Sequence, residues 1–276
     1  MDEGTRFYTW AVTQWVPAIT STEMKYVDDA LFEMGYDLRQ LMENAGAAMA
    51  SVAAHYMAEN LAGKKIVVLC GHGHNGGGGM VAARRLHIYG ADIAVLVPDG
   101  TLKPVTLHQW RLLENMGVPV SHISCVDEQS RQAITGADLV IDALVGYGLK
   151  GPLTGVVAEM VNAVGTVNHP VISLDVPSGL SSDGEILNGV IIKASATLTL
   201  ALPKKGLVMP WAQEYVGALY LSDIGVPGDL YRDMGLPPMA PIFKGTPYIP
   251  LTDIKTGESS IDGPKSQTVE QRDSKT

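Results

Sequence analysis

Apolar residues in the middle of the chain form short continuous runs that are rich in Val, Ile and Leu. Between residues 64 and 203 these runs read KKIVVLC, ADIAVLV, ADLVIDALV, PVISLDV and ATLTLALP. Continuous apolar runs, unlike alternating ones, indicate strands that are buried on both faces. A further run, GALYLSDIG, predicts a last strand near 217–223.

Helical patterns lie between these runs. They predict helices over 79–89, 105–117, 127–135 and 154–164, and two earlier helices over about 21–34 and 38–60. Thr20, Ser21 and Thr22 are candidate N-caps of the first helix. Strands that alternate with helices indicate βαβ units and a parallel sheet. We therefore expect a doubly wound α/β domain on which the two N-terminal helices dock.

The two ends of the chain differ from this domain in composition. We expect an irregular N-terminal arm over 1–18, one domain over 19–240, and a polar C-terminal tail over 241–276. The tail is polar throughout its last two dozen residues, so we expect it to be largely disordered.

Composition and charge narrow the choice of partners. The chain has 276 residues and a formal net charge of −9, which argues against nucleic acid because its binding proteins usually carry a basic face. The longest apolar runs are shorter than the ~20 residues of a membrane span, and the N-terminus lacks a secretory signal. We interpret Cys70 and Cys125 as reduced core thiols of a cytoplasmic protein.

Ligands of an open parallel sheet bind beyond the carboxyl ends of its strands. Four of the predicted strands end in glycine-containing segments, and three of these segments carry an ionisable side chain: Asp142, Asp175 and Lys204. We expect these tips to converge on one cavity.

The first strand ends in a loop with six glycines among the nine residues from Gly71 to Gly79. Such a loop ahead of a helix N-terminus suits a phosphate or pyrophosphate. It is not a P-loop, because no Lys-Ser/Thr closes it. Gly71, Gly73 and Gly76 match G-x-G-x-x-G, but the predicted helix start near Gly79 is three residues too late. A flexible turn without a ligand remains the alternative.

Asp142 lies inside a strand end, where a carboxylate is costly unless it is paired or bound to a cation. Asp175 precedes Val-Pro-Ser-Gly and is a candidate catalytic carboxylate. The alternative role of Asp142 is a helix or loop cap, and that of Asp175 is capping of its own turn. Oxygen donors of Asn75, Asp142 and Ser178 would suit a hard cation.

His72 and His74 are separated by one residue, and we interpret them as pocket or surface imidazoles. The chain has no Cys/His set with the spacing of a zinc site.

Several segments together resemble one known family. ITSTEM with LMENAG, then GHGHNGGGG, DALVGYGLKGPL, LDVPSGLSSDGE and LTLALPKKGL, occur in that order. They are similar to the N-terminal, YjeF-type domain of NAD(P)H-hydrate epimerases, and the resemblance runs from about Ile19 to about Asp229. The family pattern in the glycine loop is G-P-G-N-N-G-G-D-G.

The resemblance implies a Rossmann-like three-layer αβα sandwich with a mostly parallel sheet. It implies epimerisation of the R and S forms of hydrated NADH and NADPH, a metabolite repair reaction, and one potassium ion per subunit. A homodimer is expected. The dehydratase that completes the repair would be a separate protein, because the chain has no room for a second domain.

The resemblance also implies roles for individual residues. Asp175 is the expected general acid/base and contacts the substrate. The other expected substrate contacts are His74, Asn75, Gly76, Gly77, Gly78, Gly146, Tyr147, Gly148, Leu149, Lys150, Gly151 and Pro152. The expected potassium ligands are Asn75, Asp142 and Ser178.

The glycine loop departs from the family pattern at three positions. His72, His74 and Gly78 stand where the family has proline, asparagine and aspartate. Two hypotheses therefore remain: an epimerase, active or attenuated by His74 and Gly78, and a catalytically inactive nucleotide-binding or scaffolding module of the same fold.

Overall fold

The computed structural model describes residues 16–236, 242–243 and 245–251. These residues form one eight-stranded sheet with helices on both faces, which confirms the predicted α/β class. The strands are β1 (Lys65–Cys70), β2 (Asp92–Pro98), β3 (Val120–Ile123), β4 (Leu139–Ala143), β5 (Val171–Leu174), β6 (Ala196–Leu200), β7 (Ala218–Ser222) and β8 (Tyr248–Pro250).

The helices fill the connections between these strands. They are α1 (Ser21–Glu33), α2 (Leu38–Tyr56), α3 (His74–Ile88), α4 (Pro104–Asn115), α5 (Glu128–Thr135), α6 (Gly155–Val164), α7 (Gln213–Val216) and α8 (Gly228–Asp233). Two short 3₁₀ turns, Lys205–Val208 and Pro210–Ala212, precede α7. None of the helices in the described part of the chain is both long and apolar enough to cross a membrane.

The sheet has the strand order β3-β2-β1-β4-β5-β6-β7-β8. Every neighbouring pair is parallel except β7 and β8. The order reverses between β1 and β4, which creates the crevice where open α/β sheets bind ligands.

Strand β1 shows why the apolar runs are continuous. Ile66 and Val68 belong to the core cluster beneath α2, α3 and α4, whereas Val67 and Leu69 belong to the cluster beneath α5 and α6. Alternate side chains of one strand therefore fill both outer interfaces of a three-layer sandwich. This confirms the predicted burial on both faces.

One strand was missed, and two predicted boundaries were wrong. The strand β3 was missed because its middle residues, Ser121 and His122, are exposed at an edge of the sheet and interrupt any apolar run. Helix α3 begins at His74 rather than near Gly79. The predicted tail begins too early at 241, because β8 pairs with β7 and buries Ile249.

The two ends of the chain lie largely outside the described residues, and the two cysteines differ in exposure. The arm over 1–15 and the tail from 252 lie outside the described residues. Cys70 is buried, as expected, but Cys125 is exposed in the connection between β3 and α5, so the prediction of two core thiols was wrong.

The segment before α1 is attached firmly to the sheet. The amide of Ile19 donates to Pro203, and the amide of Lys205 donates back to Ile19. Thr20 and Glu23 form a capping box at the start of α1, in which each side chain accepts from the other's backbone amide. These contacts hold α1 against the carboxyl end of β6.

Candidate functional site

A cavity of about 440 Å³ opens at the carboxyl ends of β1, β4 and β5. Its wall on the sheet side includes Gly71 and Gly73 after β1, Gly146 and Tyr147 after β4, and Asp175 after β5. The predicted convergence of these strand tips is therefore confirmed for the three loops. The volume falls in the range of small-molecule and cofactor pockets.

Helices α1 and α2 form the wall that faces the sheet. Their contribution is mostly apolar and includes Met24, Leu38, Leu41 and Met42. One ionisable side chain, Asp28, stands among these apolar groups.

The glycine loop is the first turn of a helix rather than a free loop. Gly73 is the N-cap of α3, and a Cβ on Gly73 would meet nothing within 4 Å. A Cβ on Gly71 would lie 1.9 Å from the carbonyl oxygen of Leu144, and one on Gly76 would lie 1.9 Å from that of Gly71. Gly71 therefore lets the chain pass close to Leu144, and Gly73 leaves open space in which a ligand can approach the backbone. Gly76 lets the first turn of α3 pack closely against Gly71, and dinucleotide-binding folds use their glycines in these three ways.

The misplaced helix start has a clear cause. Glycine has low intrinsic helix propensity, so a run of glycines reads as a loop. In the structure Gly76 to Gly79 are all buried and packed, and tertiary contacts supply the stability that propensity lacks. The free N–H groups of α3 consequently point at the cavity from within the G-x-G-x-x-G segment.

Both histidines of this segment line the cavity. His72 Nε2 lies 2.7 Å from the carbonyl oxygen of Pro98, and the carbonyl of His72 accepts from the amide of Lys103. Burial, with a smaller effect from the charge of Lys103, lowers the pKa of His74. In the described part of the chain, no group of three or more His, Cys, Asp or Glu side chains could hold a metal ion.

Asp175 follows β5 and is the best-positioned carboxylate of the cavity. Its backbone has φ of 70°, a left-handed conformation that is uncommon outside glycine. Its Oδ2 accepts from the backbone amide of Tyr147 at 2.8 Å, and its Oδ1 lies 2.5 Å from Lys204 Nζ. A Cβ on Gly146 would lie 2.7 Å from Oδ2, so glycine is needed for this close approach.

Lys204 was noted at a strand tip but was not assigned to the site by sequence reasoning. It is fully buried, and its ammonium group also donates to the carbonyl of Leu200 at 2.8 Å and lies 3.3 Å from Thr199 Oγ1. Buried lysines are rare unless they are paired, and Asp175 is the partner here. The signal available in the sequence was the segment LPKKG directly after an apolar strand.

Asp142 is fully buried at the end of β4 and is bonded by neutral groups. Its Oδ2 accepts from Ser173 Oγ and from the amide of Ser178, both at 2.8 Å. Its Oδ1 accepts from Ser178 Oγ at 2.6 Å and from the amide of Leu144 at 3.2 Å. Burial raises the pKa of this carboxyl group, and these hydrogen bonds oppose the rise.

The three expected potassium ligands do not share the cavity wall. Asn75 lines the cavity and donates to the carbonyl of Leu174 at 3.2 Å. Asp142 and Ser178 are buried outside the set of residues that line it, so the expectation that they line the cavity was wrong. The physical reason is that Leu144 and Val145 turn over them, and the Val145 amide donates to Ser178 Oγ.

Only the first part of the expected substrate loop lines the cavity. Gly146, Tyr147 and Gly148 line the cavity, whereas the segment from Leu149 to Pro152 does not. The side chain of Lys150 is exposed.

A second pair of groups lies in the cavity, formed by Tyr147, an expected substrate contact, and Asp28, which sequence reasoning missed. The hydroxyl of Tyr147 donates to Asp28 Oδ2 at 2.5 Å. Burial is the main cause that raises the pKa of Asp28, and it also raises the pKa of Tyr147. The available signal was helical spacing, because Asp28 comes four residues after Met24 on the buried face of α1.

The chain matches the family model described as YjeF-related protein N-terminus over residues 38–206. It is 37% identical over 231 residues to a protein of Dehalogenimonas lykanthroporepellens named NAD(P)H-hydrate epimerase, a match that covers 83% of this chain and 90% of the relative. A protein of Limosilactobacillus fermentum with the same name is 33% identical, and the match covers 75% of this chain and 96% of the relative.

Other relatives are longer or more distant. A protein of Thermosynechococcus vestitus named bifunctional NAD(P)H-hydrate repair enzyme Nnr is 35% identical, but the match spans only 40% of its length. Among solved structures, yeast ynu0 (YNL200c) aligns with a TM-score of 0.72 over 86% of this chain and 100% of the yeast chain. At 24% identity, that likeness supports the fold.

Proposed function

The chain belongs to the YjeF-related protein N-terminus family, and from this premise we propose that it is an NAD(P)H-hydrate epimerase. The reaction interconverts the R and S forms of hydrated NADH and NADPH. Relatives that carry this name align over 90% and 96% of their own length. The structural observation that carries the proposal is Asp175, which faces the cavity from a strained strand tip and is paired with Lys204.

The chemistry of the substrate explains why a held carboxylate is useful. Hydrated NADH carries a hydroxyl on the carbon next to the ring nitrogen. Inversion requires that the hydroxyl leaves, or that the ring opens, and that the group returns on the other face. A positioned carboxylate can take up and release the proton that this exchange needs, and such general acid–base catalysis contributes about 10²–10⁴-fold to the rate.

The glycine segment supports binding of the dinucleotide. The free N–H groups at the start of α3 and the open face of Gly73 suit a pyrophosphate. His74, Asn75 and the glycines that follow are the proposed contacts on this side, and Gly146 to Gly148 are the proposed contacts after β4. In the rest of the expected loop, Lys150 reaches solvent and would contact only the outer part of a dinucleotide.

We also propose that Asn75, Asp142 and Ser178 hold a potassium ion. Asp142 fits this role because it is a fully buried carboxyl group, and its hydrogen-bond donors in the described part of the chain are all neutral. Amide, carboxylate and hydroxyl oxygens suit a hard cation. The ion would supply positive charge that compensates Asp142 and would hold the loops after β4 and β5 together.

Three wider properties complete the proposal. The protein is proposed to act as a homodimer in the cytoplasm. An NAD(P)H-hydrate dehydratase is the proposed pathway partner, since relatives named bifunctional repair enzymes share this family region.

The inactive module is not favoured by any observation on the described residues. That hypothesis depended on His74 and Gly78, and both lie in the cavity wall without closing the cavity. A Cβ at position 78 would meet only Leu174 Cδ2, at 2.9 Å.

The test is an assay of R/S exchange on hydrated NADH and hydrated NADPH, run with and without potassium. The purified protein should bring each separated epimer to the same equilibrium mixture much faster than the spontaneous reaction in buffer. A heated sample provides the background rate. Equal rates with native and heated protein would refute the proposed activity.

A further inference from the structure

We propose that Asp28, assisted by Tyr147, is a second proton-transfer residue of the cavity and acts on the substrate face opposite to Asp175. The inference rests on the epimerase function proposed above and assigns that reaction a second catalytic residue. It follows from the placement of two carboxyl groups on different walls of one cavity.

The geometry links the two carboxyl groups through a single residue. The phenol of Tyr147 donates to Asp28, and the backbone amide of Tyr147 donates to Asp175. Asp175 comes from the sheet side of the cavity, whereas Asp28 comes from α1 on the covering side. A substrate ring that enters between these walls would meet one carboxyl group on each face.

The position of Asp28 is rigid. Met24, Val27 and Leu31 of the same helix are buried in the core beneath β7 and β8. Ile19 is tied to the strand tip that carries Lys204. Because α1 is packed on one side and its start is tied to this strand tip, the backbone at Asp28 is fixed beside the cavity.

Inversion at this carbon needs a donor and an acceptor. In one direction the C–O bond breaks with its electrons on oxygen, the hydroxyl takes a proton from Asp28 and leaves as water, and the ring nitrogen lone pair forms a C=N bond. Solvent water then adds to the opposite face, the new C–O bond forms as the C=N electrons return to nitrogen, and the surplus proton goes to Asp175. No oxidation occurs, and solvent resets the two protons.

The environments of the two groups suit these roles. Asp175 has the ammonium of Lys204 at 2.5 Å, which stabilises a charged carboxylate. Asp28 lies on the mostly apolar wall formed by α1 and α2. Burial is the main cause that raises its pKa, and the charges of Asp175 and, more weakly, Asp29 add to the rise. The hydrogen bond from Tyr147 and the charge of Lys204 oppose it. One carboxyl group beside an ammonium and another on a mostly apolar wall stand in different environments, as the two members of an acid–base pair do.

The first experiment compares Asp28→Asn with Asp29→Asn. Asp29 is the next residue on the same helix, but its side chain is exposed and pairs with Lys25. We expect Asp28→Asn to lower kcat for epimerisation by about 100-fold or more, with little change in KM, because one proton-transfer group is lost. Asp29→Asn should keep wild-type kinetics.

The second experiment separates a catalytic role from a structural one. Each epimer is prepared with ¹⁸O in the hydroxyl, and loss of label to water is followed together with inversion. With Asp28→Asn, Asp175 can still expel and return the hydroxyl on its own face, so one epimer should lose label without inverting and the other should keep it. Asp175→Asn should show the opposite preference.

A further variant guards against a folding defect. Tyr147→Phe leaves Asp28 in place and removes only the hydroxyl group of Tyr147, and we expect a kcat loss of about tenfold, the size of one hydrogen bond. Inversion by Asp28→Asn within threefold of wild type, or loss of label exchange from both epimers in that variant, would overturn the role of Asp28. If wild type and Asp29→Asn are also inactive, the proposed function itself fails.

Discussion

Two buried carboxyl groups lie at the carboxyl ends of neighbouring strands, and they differ in their bonding partners and in their access to the cavity. Asp142 is the last residue but one of β4 and accepts four hydrogen bonds from neutral donors. Asp175 follows β5, accepts one backbone amide and pairs with the buried ammonium of Lys204. Asp142 is sealed from the cavity, whereas Asp175 lines it.

This difference separates a buried carboxyl group that joins strand tips from the one that we propose as the catalytic group. The donors to Asp142 come from β5 and from the loops after β4 and β5, so the group joins the strand tips together. Burial without a charged partner disfavours its ionised form. Asp175 lies 2.5 Å from the ammonium of Lys204 and lines the cavity, where a ligand can reach it.

The largest effect should follow from Asp175→Asn. Asparagine tolerates the left-handed backbone at this position better than alanine does, so the fold is kept with less strain. Asp175→Ala should also abolish epimerisation. We expect kcat to fall by about 10²–10⁴-fold, measured by R/S exchange, while the circular dichroism spectrum stays that of wild type. Retained turnover would remove Asp175 from the mechanism.

The ion pair can be tested by stability. Lys204→Met leaves the carboxylate of Asp175 buried without its partner, which should lower the free energy of unfolding by about 3–5 kcal/mol in urea titrations. The double variant with Asp175→Asn should lose less than the sum of the two single variants.

The exposed pair of Lys193 and Glu214 provides the control for that measurement. Lys193→Met should cost far less than Lys204→Met because solvent screens the exposed pair. A cost for Lys204→Met no greater than that of Lys193→Met would mean that the buried pair does not hold Asp175.

Asp142→Asn should have a smaller effect. Each oxygen of Asp142 accepts from one backbone amide, so the NH₂ group of asparagine must oppose either Leu144 or Ser178. One unsatisfied buried donor costs about 1–3 kcal/mol. Thermal melts should show this loss, and the rise in Tm that we expect potassium to give to wild type should be absent from the variant.

Asp92→Asn, a substitution at an exposed position at the start of β2, is the matched control. It should keep the response to potassium, and tetramethylammonium should not replace the ion in either protein. A potassium response that survives in Asp142→Asn would place the ion elsewhere.

The smallest effect should come from the glycine segment. His74→Asn combined with Gly78→Asp restores the family residues while leaving Asp175, Lys204 and Asp142 unchanged. Leu174 must shift to admit a side chain at position 78. We expect kcat/KM to rise by up to about tenfold, the value of one added hydrogen bond of about 1.4 kcal/mol. Unchanged kinetics would mean that the segment tolerates both substitutions.

Much of the fold could be predicted because it depends on local patterns. Continuous apolar runs identified β1, β2, β4, β5, β6 and β7, and the turns after them located Asp142, Asp175 and the glycine segment. The edge strand β3 and the pairing of β8 escaped because they are short and half-polar, and strands of that kind are stabilised by their neighbours rather than by their own pattern.

The sequence by itself determined helices α1 to α6 and six of the described strands in their chain order, the glycine-rich segment after β1 and the family to which the chain belongs. Only the tertiary structure decided which carboxyl group is sealed, which is paired with Lys204, and that Asp28 enters the same cavity from α1. The reason is physical: periodicity depends on residues a few positions apart, whereas burial and ion pairing depend on groups such as Asp28 and Asp175 that are distant in the chain.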